Sequence, residues 1–136
     1  MTLRWAILGA AVVLCGAAAA LLYRFGPNGL GVGSVCLFHR WTGLHCAGCG
    51  MTRATYALMH GDPGTAFRYN PLGVILFPIA LFGSSIEAIA WARGKPLSWR
   101  LRVGARGAVG LLWVVVAFWI LRNLPWWPFT LLAPPA

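Results

Sequence analysis

The chain has 136 residues, 60% hydrophobic and only 10% charged, with a mean hydropathy of +0.74. Ordinary soluble domains carry roughly 25% charged residues, so this composition cannot coat a water-soluble surface and points to an integral membrane protein. Net charge is +9, from 11 Lys+Arg against 2 Asp+Glu; with no basic groove interleaved with stacking aromatics, the positives read as topology signals and lipid-headgroup contacts, not nucleic-acid binding.

The first apolar stretch covers residues 5–23 and meets the ~20 residues needed to cross ~30 Å of hydrocarbon. It is rich in alanine and glycine, and Gly9 and Gly16 lie two turns apart on one face, which suits close helix packing. A cleaved signal peptide is the alternative. The apolar run is longer than a signal core and ends in Tyr23-Arg24, an anchoring flank, so an uncleaved helix is expected. Cys15 within it is a small apolar residue without a role.

Residues 25–70 form the only long segment between apolar stretches. "FGPNGLGVG" is glycine-rich and turn-forming. Cys36 follows, then "LFHRWTGLH", then Cys46-Ala47-Gly48-Cys49-Gly50. "MTRATYALMH" reads as a short helix with Met51, Ala54, Leu58 and Met59 on an apolar face and Gly61 as its C-terminal stop. Asp62-Pro63 restarts the chain into a second short helix over "GTAFRYN". Both helices are expected to lie at the membrane surface or to dip in as a re-entrant element. Asn70-Pro71 reads as an N-cap followed by proline at the first helical position.

The second apolar stretch covers 71–91, with a kink expected at Pro78. The third covers 103–121, with Gly104, Gly107 and Gly110 along its first half. Arg93, Lys95, Arg100, Arg102 and Arg106 crowd the connection between them. The positive-inside rule places that connection, and the N-terminus with Arg4, in the cytoplasm. The segment 25–70 and the tail then face outward, and "PWWPF" reads as an aromatic interface anchor. The whole chain forms one domain, 1–136.

Cys46 and Cys49 precede a helix start. Free N–H groups and the helix dipole there favour thiolate, and Arg53 one turn on adds positive charge, so lowered thiol pKa values are expected. Cys-x-x-Cys-Gly is also the turn of a zinc knuckle. Cys36 and His39 could supply two further ligands, giving a set of Cys36, His39, Cys46 and Cys49, with His45 as an alternative. An outward loop equally suits a structural disulfide from Cys36 to Cys46 or Cys49. Asp62 is the only outward acid, and it is expected to pair with Arg53 or Arg68 or to cap the second short helix. His60 is expected to be structural. Glu87 is expected to pair with a basic residue such as Arg106, or, in a channel or transporter, to line an ion path.

These residues carry a resemblance. Cys36, Thr42, Gly43, Cys46, Cys49, Gly50, Thr52, Arg53, Ala54, Gly61, Asp62, Asn70 and Pro71 resemble the signature of the bacterial membrane proteins catalogued as domain of unknown function 2752. About a third of the chain is covered. Ala47 stands where that pattern has proline, which loosens the turn between the cysteines and weakens any thioredoxin-like analogy. His39 is outside the pattern. The resemblance implies architecture and a bacterial cytoplasmic membrane, and it implies no chemistry.

The expected fold is all-α, with three transmembrane helices and a cysteine-bearing loop carrying one or two short helices. No nucleophile–base pair, carboxylate dyad or phosphate loop is visible. The expected function is therefore non-enzymatic: an accessory or assembly subunit of a membrane complex, with an extracytoplasmic loop stapled by a disulfide or clamped by zinc. Its partners would be the bilayer and a membrane protein or second copy, packed through the small-residue helix faces. Two other functions compete. One is soft-metal transport or thiol–disulfide exchange, with Cys46 attacking and Cys49 or Cys36 resolving. The other is a small channel.

Overall fold

The computed structural model describes residues 2–29, 36–94 and 104–134, and all regular elements among them are helical. Helix α1 spans Thr2–Gly29 and bends at Gly26, whose φ of 67° and ψ of 169° are non-helical. Proline at position 27 suits the first turn after that break, where its missing N–H is not needed. The turn expected from Phe25 is thus a bend within a longer helix; residues 30–35 of the same stretch lie outside the described residues.

Helix α2, Leu37–Thr42, occupies what the sequence presents as irregular loop. It closes on Gly43, in the left-handed conformation at φ 72°, whose N–H donates to the His39 carbonyl at 2.8 Å. Helices α3, Met51–Met59, and α4, Pro63–Tyr69, fall where the punctuation places them. Asp62 caps α4, its carboxylate accepting from the Thr65 N–H at 2.9 Å. Helix α5, Pro71–Arg93, runs through Pro78 as one helix. Helix α6 spans Ala105–Leu121, and a 3-10 turn, Phe129–Leu132, follows it.

Alanines make the small core. Ala54 and Ala57 of α3, Ala66 of α4 and Val74 of α5 are buried together, with Leu58 and Tyr69 packed on them. Small side chains bring α3 and α4 close. Of the face expected on α3, Ala54 and Leu58 reach this cluster, while Met59 is exposed.

Helices α1 and α5 pack antiparallel. At one end Arg4 donates to the Trp91 carbonyl at 3.3 Å and lies over the Trp91 ring. At the other, Gly26 adjoins the Tyr56 ring of α3. Two helices, Leu3–Gly29 and Pro71–Arg93, are long and apolar enough to cross a membrane, and none of their spanning windows is buried within the protein. Such uncovered apolar surface suits lipid and not a soluble core. Helix α6 is apolar but shorter, at 17 residues, a rise of about 26 Å. The basic residues Lys95, Arg100 and Arg102 lie outside the described residues.

Candidate metal centre

The start of α2, capped by Cys36, and the turn before α3, carrying Cys46 and Cys49, bring three sulfurs together. The Sγ–Sγ separations are 3.4 Å for Cys36–Cys46, 3.0 Å for Cys46–Cys49 and 3.2 Å for Cys36–Cys49. All three are free thiols. A disulfide would draw one pair to about 2.05 Å and leave the third sulfur aside; here the triangle is nearly equilateral. Zinc–sulfur bonds of about 2.3 Å set tetrahedral sulfurs roughly 3.8 Å apart. The triad is tighter than that by about half an ångström and needs a small expansion to take such an ion.

The turn itself is knuckle-like. The Cys46 N–H donates to the Cys49 sulfur at 3.1 Å, the Cys49 N–H donates to the Cys46 carbonyl at 3.1 Å, and the Met51 N–H donates to Gly48 at 3.0 Å. Gly50 ends it at φ 82°, and a β-carbon there would sit 2.6 Å from the Tyr69 carbonyl oxygen. Both the backbone twist and the close approach of α4 therefore require glycine.

His39 and His45 stand apart from the sulfur group. Among the described residues, the ligand atoms gathered within 4.8 Å of one another belong to Cys36, Cys46 and Cys49. The two imidazoles stack on each other, with centroids 4.4 Å apart. Burial first, then the charges of His39 and Arg122, hold His45 below the usual histidine range. His60 closes α3, stacks on Tyr23 at 4.3 Å and meets the tilted Tyr56 ring at 4.2 Å. Arg53 lies over the Tyr69 ring at 5.7 Å and lines, with Asp62, a cleft of about 550 Å³ beside α1.

The thiols do not all behave as their position before α3 suggests. Burial, reinforced by its hydrogen bonds to Cys46 and Cys36, pushes the Cys49 thiol up to about 12. The expected stabilisation by the start of α3 is outweighed because Cys49 is 7% exposed and desolvation penalises the charged form. Cys36 goes the other way: the backbone N–H of His39 is the largest of several hydrogen bonds that lower it.

Three side chains hold this loop in place: Asn70, read from the sequence only as an N-cap, and Arg122 and Asn123, which the sequence does not single out. Arg122, at the end of α6, is 1% exposed. Its Nη1 donates to the carbonyls of Cys46 and Ala47 at 3.0 and 3.1 Å, and its Nη2 to those of Cys49 and Tyr69 at 3.2 and 3.4 Å. Asn70, equally buried, donates to Ala47 and Cys49 at 2.9 and 3.3 Å while its Oδ1 accepts from the Gly73 N–H. Asn123 pairs with the backbone of His45 in both directions, at 2.7 and 2.8 Å, and Trp119 meets Phe38 edge-on. A tight knuckle leaves carbonyls without helical partners, and buried carbonyls need donors. Arg122, Asn70 and Asn123 supply them.

Residues 36–83 match the model of a family described as a protein of unknown function (DUF2752), the family that the cysteine signature resembles. The matched segment contains the three cysteines and Asn70 and stops short of Arg122 and Asn123. No curated protein and no solved structure matches the chain.

Proposed function

We propose that this chain is a small, non-enzymatic integral membrane protein whose Cys36–Cys46–Cys49 triad holds a thiophilic metal ion, zinc above all, as the clamp of a cap over one membrane face. The observation that carries this reading is the sulfur triangle, with separations of 3.0–3.4 Å. Three thiolates leave a fourth position for water or a neighbouring ligand. When bound, the metal would cross-link α2 to the turn before α3 and fix the loop. Among the described residues, the side-chain donors that brace the loop from behind come from Asn70, Arg122 and Asn123.

Three crossings fit this cap. The C-terminal end of α1, the N-terminal end of α5 and the C-terminal end of α6 all meet it, through Gly26 on Tyr56, Asn70 on Cys49 and Arg122 on Cys46. Helices that converge so traverse alternately up, down and up. The short α6 needs only the local thinning that bilayers tolerate. With basic residues crowded at 93–106, the cap lies outside a bacterial cytoplasmic membrane and the N-terminus inside. The exposed apolar side chains of α6, Leu112 and Trp113 among them, suit an accessory or assembly subunit that packs on a partner's helices.

The test is metal analysis and intact mass of the purified protein. About one zinc per chain is expected, lost in Cys36→Ser, Cys46→Ser and Cys49→Ser and kept in Cys15→Ser. An internal disulfide, or three readily alkylated thiols in a metal-free protein, would overturn the reading. Labelling of introduced cysteines in intact cells fixes the side of the cap.

A further inference from the structure

Arg122 brings a full positive charge into a site where it is 1% exposed. Among the described residues, the four groups that accept its hydrogen bonds are neutral carbonyls, and its buried Nε has no partner. The Phe118 ring lies 5.0 Å from the guanidinium carbon, but neutral dipoles and one ring compensate a buried full charge poorly. The chain offers just two acids. Asp62 is spent on capping α4 and is exposed. Glu87 lies far down α5: from residue 70 to residue 87 the helix rises about 26 Å, and Asn70 shares the Cys49 carbonyl with Arg122. Burial disfavours the charged form of Arg122, and negative charge on Cys49, Cys46 and Cys36 is what would oppose that.

On the metal reading of the triad, the geometry points to Arg122 as its built-in counter-charge and thereby as the residue that selects a divalent thiophilic cation. Three thiols release three protons to solvent as they bind a metal cation; with arsenite, As(OH)3, those protons leave with the three hydroxides as water. A divalent ion on three thiolates carries −1, which Arg122 balances when the fourth ligand is neutral. A trivalent ion such as arsenic(III) gives a neutral complex and leaves Arg122 uncompensated. A monovalent ion gives −2 and leaves a buried negative charge.

Arsenite is therefore a charge-neutral probe of the same three sulfurs. Zinc and arsenite affinities are measured on the full chain in lipid nanodiscs, for wild type, Arg122→Gln and Arg122→Lys. In Arg122→Gln, any loosening of the loop affects both ligands alike, but the zinc-to-arsenite affinity ratio is expected to fall about 10-fold or more, the scale of one partly buried charge pair. In Arg122→Lys, which keeps the charge but not the fork of donors, the zinc-to-arsenite ratio should match wild type. If both affinities fall in equal measure in Arg122→Gln, or if the ratio shifts in Arg122→Lys, Arg122 is only a brace and the inference fails. Wild type that binds no zinc sinks the metal reading itself, a separate outcome.

Discussion

The Cys49 carbonyl accepts from Arg122 at 3.2 Å and from Asn70 at 3.3 Å. One donor comes from the end of α6 and the other from the start of α5, so this single oxygen ties two helices to the turn that carries the thiols. Both donors are 1% exposed. Their contribution to stability is set by the cost of leaving several buried carbonyls unpaired and not by any one bond.

Asn70 has two jobs, and substitutions separate them. Asn70→Ala removes the cap on α5 and both donor bonds to the loop, an expected loss of about 2 to 3 kcal/mol. Asn70→Asp keeps the oxygen that caps Gly73 and loses only the donors, so it should fall between alanine and wild type. Thermal unfolding in detergent or nanodiscs gives the order.

Gly50 and Gly43 both take positive φ, at 82° and 72°, yet they should not respond alike to alanine. At Gly43 an added β-carbon meets nothing within 4 Å, and the cost is the left-handed backbone alone, about 1 kcal/mol. At Gly50 the β-carbon also meets the Tyr69 carbonyl, so Gly50→Ala should cost at least twice as much. Equal shifts in unfolding temperature would contradict this placement of α4 over the turn.

Alkaline pH should weaken the metal-free protein. The Cys49 thiol is raised to about 12 from a reference of 9.0. A raised value means that the folded state holds this proton more tightly than the unfolded chain. The resulting stability is full below about pH 9 and is lost as pH climbs toward 12. Cys49→Ala should abolish the slope. In the same metal-free state Cys36, whose thiol is lowered, should alkylate first and Cys49 last, readable by peptide mass spectrometry over a time course.

Acid should act at the other end of the loop. The Asp62 carboxyl is held below the usual range by its hydrogen bonds to Thr65. Its stabilisation is present above the ordinary carboxylate value and fades as pH falls through the lowered one. Asp62→Asn keeps the capping oxygen and should flatten that acid limb with little change at neutral pH; Asp62→Ala should weaken α4 at every pH.

The elements flanked by strong punctuation were legible in the sequence. Asp62-Pro63 and Asn70-Pro71 mark the starts of α4 and α5 because each pairs a side-chain acceptor with a residue that needs no N–H. The grouping of Cys36 with Cys46 and Cys49 follows from spacing. Helix α2 was not legible, since "LFHRWT" is six residues without a capping side chain and draws its order from the contact of Phe38 with Trp119. Arg122 escaped for a different reason. A lone arginine closing an apolar run, followed by asparagine, has the composition of an ordinary headgroup anchor. Only the fold shows that it turns inward, to carbonyls more than seventy positions earlier in the chain.

That separation sets an order of events during synthesis. The three cysteines, their glycines and Asn70 are all made before α6 begins. Until Arg122 and Asn123 emerge, the carbonyls of His45, Cys46 and Tyr69 lack the side-chain donors they have in the finished fold. A chain stopped within α6 would own every sulfur and could still recruit a metal, but it would hold that metal in a loose loop. The cap matures only when the end of α6 reaches back to it.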